Sequence, residues 1–507
     1  MTRSSWSRAK IFGVRVILAA ALLAAVIPGV PASNSLVAQA DAAPTPQLAW
    51  APCAEQGLER YECAVADVPL DYAKPTGPKL GLAVLRQRAT SPDNRIGTLF
   101  TAVGGPGGSG LDAAKGGLID GEIAARFDIV AFDQRGIGRS SQIHCFPSVA
   151  EQEQFWSALP QPPASPAEER ASTQASRTLA AKCSPKSQQL TTVDAARDLD
   201  LLRRAVGDSK LSYTGGSYAS YLGEVYGALF GDRVRALQLN AMVDPTAYTH
   251  NAIGLLWERS AGTEEVFREF ARHCVAPKCA FAGPDVLGHN SRILARLRSG
   301  PITVGIGDSA IQIRYRDIVP IHAALLYDTQ SGWPALAQLL AELEKGPAGS
   351  GPVVSEILRA TAFRLDFLDS FVAISCVDLG VPRAPGLWST LASAFDAHAP
   401  HYGRHWLYIA QPCAAWQTPP QRYTGSWKLK SSAPALLINN RFDPVTPLSS
   451  ARKAKQQLGN AELVIVEGHG HDITGSCTDR LRSRYLIDLQ VPAPGTTCQP
   501  DRPPFGS

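Results

Sequence analysis

Charge is scarce in this sequence. Asp, Glu, Lys and Arg supply 19% of its 507 residues, below the roughly one quarter usual for globular proteins. That scarcity argues against disorder and against a highly charged partner surface. The formal net charge of +4 comes from Arg3, Arg8, Lys10 and Arg15, the only charged residues among the first 40. The remainder balances at 45 basic and 45 acidic residues, so the basic footprint of a nucleic-acid binder is missing. Long apolar runs are missing too. The run Val16–Ile27 has 12 residues, whereas a membrane-spanning helix needs about 20. No internal repeat is visible. A structural zinc site needs two close Cys/His pairs, and Cys274-x4-Cys279 has no second pair to join it.

What is present begins with a leader. Basic residues precede the apolar run, Pro28 breaks it, and Ala38-Gln39-Ala40 offers a small-residue cleavage site. Residues 1–40 are therefore expected to be a secretory signal, with Val30-Pro31-Ala32 as the alternative cleavage point and an uncleaved anchor as the bland alternative. The export this implies places the protein in the medium, periplasm or cell envelope, with no membrane span left after cleavage. Ten cysteines follow the leader, and an even count in an exported chain favours disulfides. Neighbour pairing would join 53–63, 145–183, 274–279, 376–413 and 477–498, other connectivities remaining open.

Periodicity divides the rest. Leu80–Arg88, Gly97–Val103, Phe127–Phe132, Leu211–Tyr213 and Val234–Val243 read as strands, with helices over Val193–Val206 and Tyr218–Phe230. Residues 146–190 are rich in Pro, Ser, Ala and Gln and read as a surface excursion. Helical runs then dominate (Gly254–Ala271, Asp317–Leu343, Val354–Phe371). Strands return at Ala435–Asn440 and Glu462–Val466, around a helix at Ser449–Leu458. Alternating strands and helices imply right-handed crossovers and a mainly parallel sheet. The expected architecture is an α/β core with a mostly parallel sheet in two parts, 41–244 and 431–507, with a mainly helical cap inserted at 245–430.

The stretch Leu211-Ser-Tyr-Thr-Gly-Gly-Ser-Tyr-Ala-Ser220 has the strand, Gly-x-Ser-x-small, helix order of a nucleophile elbow. The turn must be sharp, and its neighbours two residues away must be small, as Gly215 and Ala219 are. A serine hydroxyl is a poor nucleophile without an adjacent base. The triad order on this scaffold is Ser, Asp, His. Asp443 follows the strand Ala435–Asn440, and His471 follows Glu462–Val466. Ser217, Asp443 and His471 are thus the candidate nucleophile, acid and base. His469 is the alternative base and Asp244 the alternative acid. Acyl transfer also needs donors for an oxyanion. The amide of Tyr218 is one candidate, and Gly105 in Gly104-Gly-Pro-Gly-Gly108 the other, since Pro106 has no N–H. That loop lacks the Lys-Ser/Thr ending of a phosphate-binding loop. A triad requires no metal or organic cofactor.

Together, GGPGGSG, DQRGIGRS at 133–140, GGSYASYLGEVYGALFGDRV, RFDPVTP and GHGH make the chain resemble the secreted α/β hydrolases of the prolyl and tripeptidyl aminopeptidase group, from about residue 50 to 500. The resemblance implies the same three residues in the same roles, and a peptide or ester small substrate. Family elbows usually continue Gly-Thr where this chain has Ala219-Ser220. An exopeptidase must also pair the substrate's ammonium with a carboxylate. Glu258, Glu264, Glu265 and Asp378 are the candidates for that.

Overall fold

The computed structural model describes residues 33–417 and 422–506. Twelve strands are present among them: β1 Ala51–Pro52, β2 Glu62–Pro69, β3 Lys79–Gln87, β4 Gly97–Ala102, β5 Phe127–Phe132, β6 Leu211–Gly216, β7 Val234–Asn240, β8 Ile302–Val304, β9 Ile311–Ile313, β10 Ala435–Phe442, β11 Ala461–His469 and β12 Thr497–Cys498. Ten of these form one sheet in the order β1-β2-β3-β5-β4-β6-β7-β10-β11-β12. The first three strands pair antiparallel, and β3 meets β5 antiparallel. From β5 to β12 every pairing is parallel. This is the α/β hydrolase architecture expected, with helices on both faces. The antiparallel strand β2, at the edge-ward side of β3, went unread in the sequence because its inward residues Ala64 and Ala66 are small while the outward Val65 is apolar and exposed, which blurs the alternation.

The central strands are buried on both faces, as parallel strands under crossover helices must be. Leu211, Tyr213, Leu237, Leu239, Leu436, Leu437 and Ile438 are all fully buried. Packed against them, the helix Tyr218–Phe230 is so close to the sheet that a Cβ at Gly223 would come within 2.6 Å of Leu239. The DQRGIGRS motif braces this core. Arg135 makes two hydrogen bonds to Asp198, at 2.7 and 2.6 Å, and three more to backbone carbonyls of Leu70, Gln189 and Pro69. Asp133 accepts from Ser109 Oγ at 2.6 Å and the amides of Leu111 and Arg139. It thereby pins the end of the glycine loop beneath β4.

Between β7 and β10 the chain leaves the sheet. The long apolar run at Asp317–Leu343 is two helices, Tyr315–Leu325 and Gly332–Lys345. Gly332 sits at the break because any Cβ there would meet the Leu325 carbonyl at 2.3 Å. Val354–Phe371 likewise divides, into Gly351–Thr361 and Leu365–Asp378. A small hairpin, β8–β9, was not anticipated, since three-residue strands carry too little periodicity to read. The excursion at 146–190 holds two helices, Val149–Ala158 and Pro166–Cys183. All ten cysteines are paired, in the neighbour pattern 53–63, 145–183, 274–279, 376–413 and 477–498.

Residues 1–32 of the expected leader lie outside the described residues. Its last residues do not: Ser33–Asp41 forms a helix. Ala40 is fully buried, Arg204 donates to the Ala40 carbonyl, and Arg233 pairs with Asp41 at 2.8 Å. No helix among the described residues is long and apolar enough to cross a membrane.

Candidate active site

Ser217 stands between β6 and the helix Tyr218–Phe230 with φ +58° and ψ −131°. A non-glycine residue there costs on the order of 1–3 kcal/mol and persists only where its surroundings enforce it. They do so here through the backbone. The Ser217 amide donates to the Asn240 carbonyl at 3.1 Å, and its carbonyl accepts from the amide and Oγ of Ser220. Ser220 Oγ in turn accepts from the Val243 amide, so this serine ties the turn to the segment that follows β7. Gly215 is required. A Cβ there would lie 2.6 Å from Tyr213 Oη and 2.9 Å from the Ala219 carbonyl.

Asp443 and His471 come together at the ends of β10 and β11. His471 Nδ1 is 3.0 Å from both oxygens of Asp443. The carboxylate also accepts from the amides of Val445 and Thr446 and from Thr446 Oγ1, each at 2.8 Å. Burial works against a charge on His471, but the Asp443 carboxylate and its hydrogen bond outweigh it. The net result is a pKa above the ordinary histidine value. The His471 amide donates to the Tyr327 carbonyl at 2.7 Å. That contact leaves no room for a side chain at Gly470, whose φ is +94° and whose Cβ would fall 2.4 Å from the same carbonyl.

The two alternatives from the sequence are elsewhere. His469 Nε2 meets Glu269 at 2.9 Å, and its ring stacks on Phe442. Asp244 caps the helix Pro245–His250 through the Ala247 amide at 3.0 Å and accepts from Gln457.

Ser217, Tyr218, His471, Gly104 and Gly105 open on one cavity of about 830 Å³. No direct hydrogen bond joins Ser217 to His471 among the described contacts, and such bonds commonly tighten only around substrate. The glycine loop presses on the serine: a Cβ at Gly104 would lie 2.8 Å from Ser217 Cβ. Among the described residues the amides of Gly105 and Tyr218 donate to no protein acceptor, so both are free donors. Across the loop, Phe363, Phe367 and Phe371 stack in series, with ring centroids 4.9 and 5.9 Å apart. They form an apolar wall of the cavity.

None of the four carboxylates expected to hold an ammonium lines this cavity. Glu258 bonds to Ser449 and Lys453. Glu264 pairs with His401 at 2.5 Å, and Glu265 is partly buried near Glu269. Asp378 is fully buried and accepts from the Thr192 amide at 3.1 Å, its pKa pushed up to about 7 by burial. The carboxylates that do reach the cavity are Asp317 and Asp472.

Two further residues shape the site without having been read as part of it. Asn439 accepts from the Met242 amide and donates to the Thr446 carbonyl. Asn440 donates to the carbonyls of Gly470 and Asp472, at 2.9 and 3.0 Å. Together they hold the acid loop and the base loop at fixed spacing. The signal was available: two buried asparagines ending an otherwise apolar strand need partners.

Residues 103–289 match the alpha/beta hydrolase fold model, and residues 399–498 match that of the TAP-like proteins. The tripeptidyl aminopeptidase of Streptomyces lividans is 29% identical over 491 residues, covering 90% of this chain and 87% of that one. From Mycobacterium tuberculosis, carboxylesterase B is 28% identical over 478 residues, with 90% of each chain covered. The serine protease Hip1 of the same species is 27% identical over 489 residues, covering 89% of this chain and 90% of that one.

Proposed function

We propose that this chain, which belongs to the α/β hydrolases and is a serine hydrolase, is an exported aminopeptidase working through an acyl-enzyme on Ser217. The single observation that carries the catalytic assignment is that His471, bonded to the buried Asp443, shares a cavity with a serine held at positive φ. His471 Nε2 takes the Ser217 proton as Oγ attacks the substrate carbonyl. Asp443 holds the imidazole tautomer and stabilises the imidazolium. The amides of Tyr218 and Gly105 receive the oxyanion, each such donor being worth about 3 kcal/mol in the transition state. His471 then protonates the leaving amine, and water releases the acyl group by the same steps reversed. The helices of 245–430 serve as the cap that closes the cavity.

The peptidase reading is supported by the Streptomyces and Hip1 relatives, and Asp472 beside His471 is a carboxylate available to an ammonium. A carboxylesterase is the second reading. It is favoured by the largely apolar cavity wall and by the displacement of all four expected ammonium anchors. Turnover of an aminoacyl-anilide against its N-acetylated form separates the two, with Ser217→Ala as control. Strong loss on acetylation supports the aminopeptidase; undiminished turnover supports the esterase.

Five disulfides support an extracytoplasmic location. Signal cleavage after Ala32 would retain the helix Ser33–Asp41, which Arg197, Arg204 and Arg233 anchor to the core. N-terminal sequencing of the exported protein decides between Ser33 and Asp41 as first residue.

A further inference from the structure

Two arginines on the cavity wall make no ion pair with any described carboxylate, although Asp317 and Asp472 line the same cavity. Arg259, on the helix Ala252–His273, lines the cavity alongside Ser217 and His471. Its Nε donates to the Val445 carbonyl at 2.9 Å, and its guanidinium lies 4.9 Å from the Trp406 ring centroid. One edge and one face are thereby occupied. Nη1 and Nη2 make no hydrogen bond to any described residue. Arg316, on the helix Tyr315–Leu325, lines the same cavity, and its buried Nε has no partner. Among the described residues no carboxylate comes within 4.0 Å of either guanidinium.

Two other arginines are balanced by carboxylates. Arg135 is paired with Asp198, and Arg404 with Asp396 and Glu169. Leaving a desolvated cation unpaired is costly, and burial pulls the Arg259 pKa down accordingly. The same charge weighs against protonation of His471. A ligand that brings its own anion removes that cost. The planar fork of a guanidinium is matched to a carboxylate.

We propose that the cavity selects substrates bearing a carboxylate, received by the free edge of Arg259 and reinforced by the charge of Arg316. This rests on the serine-hydrolase assignment for the place of the reacting bond, and names the substrate class for that site. The carboxylate is either an acidic side chain or the C-terminus of a short peptide.

Calorimetric titration of the Ser217→Ala protein reads this without turnover. The probes are tripeptide amides carrying Glu or Gln at each position, and the Gln peptides again as C-terminal acids. At least one anionic probe should bind about tenfold or more tighter than its neutral counterpart. The pair that shows it identifies the source of the carboxylate. The preference should weaken as salt is raised. Arg259→Met in the same background should bring the ratio to within about twofold, while Arg259→Lys, which keeps the charge, should retain part of it. Equal binding of charged and neutral probes overturns the inference, as does a preference that survives Arg259→Met. If the Met variant does not fold, Arg259→Lys and the salt series decide: a preference unchanged in both also overturns it. Failure of the triad assignment shows differently, as fluorophosphonate labelling that persists in Ser217→Ala.

Discussion

His471 Nδ1 is equidistant, at 3.0 Å, from the two carboxylate oxygens of Asp443. Both oxygens are already held by the Val445–Thr446 turn, so the carboxylate is fixed before the imidazole arrives. The geometry dictates how activity should respond to pH. The base must be neutral to accept a proton. Because Asp443 raises the His471 pKa above its ordinary 6.5, kcat/KM should climb with pH through an inflection above that value. In Asp443→Asn the carboxylate's contribution is gone and burial prevails, so the inflection should move below 6.5 while the plateau falls about 10⁴-fold. A pH–rate profile of the two proteins checks both. An inflection that stays put would detach Asp443 from the base.

Ser217→Ala should abolish fluorophosphonate labelling and lower kcat by at least about 10³-fold. The melting temperature should change little, since alanine inherits the same positive φ. Residual labelling at another serine would remove Ser217 from the mechanism.

Gly470→Ala should be destabilised by about 2 kcal/mol or more, because its Cβ collides with the Tyr327 carbonyl at 2.4 Å. Relief requires the His471 loop to move, so kcat should fall along with stability. Denaturant unfolding paired with steady-state kinetics reads the two effects. A variant of normal stability and rate would show that the loop has slack.

Asn440→Leu leaves the carbonyls of Gly470 and Asp472 without their donor. Each unsatisfied group costs about 1–3 kcal/mol. The base loop should loosen, with a larger loss in kcat than in apparent substrate affinity.

Glu224 lies buried in the helix Tyr218–Phe230, and neither carboxylate oxygen has a partner. Burial, and then the charge of Asp244, raise its pKa well above 4.5. The folded state therefore keeps a proton that the unfolded chain has released. Stability from this group is full below about pH 4.5 and is lost as pH rises through the folded value. Glu224→Gln should flatten that decline. Its melting temperature should exceed that of the wild type at pH 8 and match it near pH 4.5. Parallel curves at both pH values would count against it.

The legible part of this molecule was the part governed by local chemistry. Phe127–Phe132 and Tyr218–Phe230 were bounded correctly because a strand or helix buried on its own terms announces its period, and the elbow because only small residues fit at Gly215. The order of Ser217, Asp443 and His471 along the chain was likewise in the sequence, as was a neighbour pairing of cysteines. Tertiary structure carried His471, which the sequence already offered as the base ahead of His469, to Asp443 through the Tyr327 carbonyl and the asparagine clamp, and held His469 against Glu269 and Phe442 instead. It also decided that Glu258, Glu264, Glu265 and Asp378 turn away from the cavity while Arg259 and Arg316 turn into it. The direction a charged side chain takes depends on which helix packs across from its own, and no stretch of sequence around that residue encodes it.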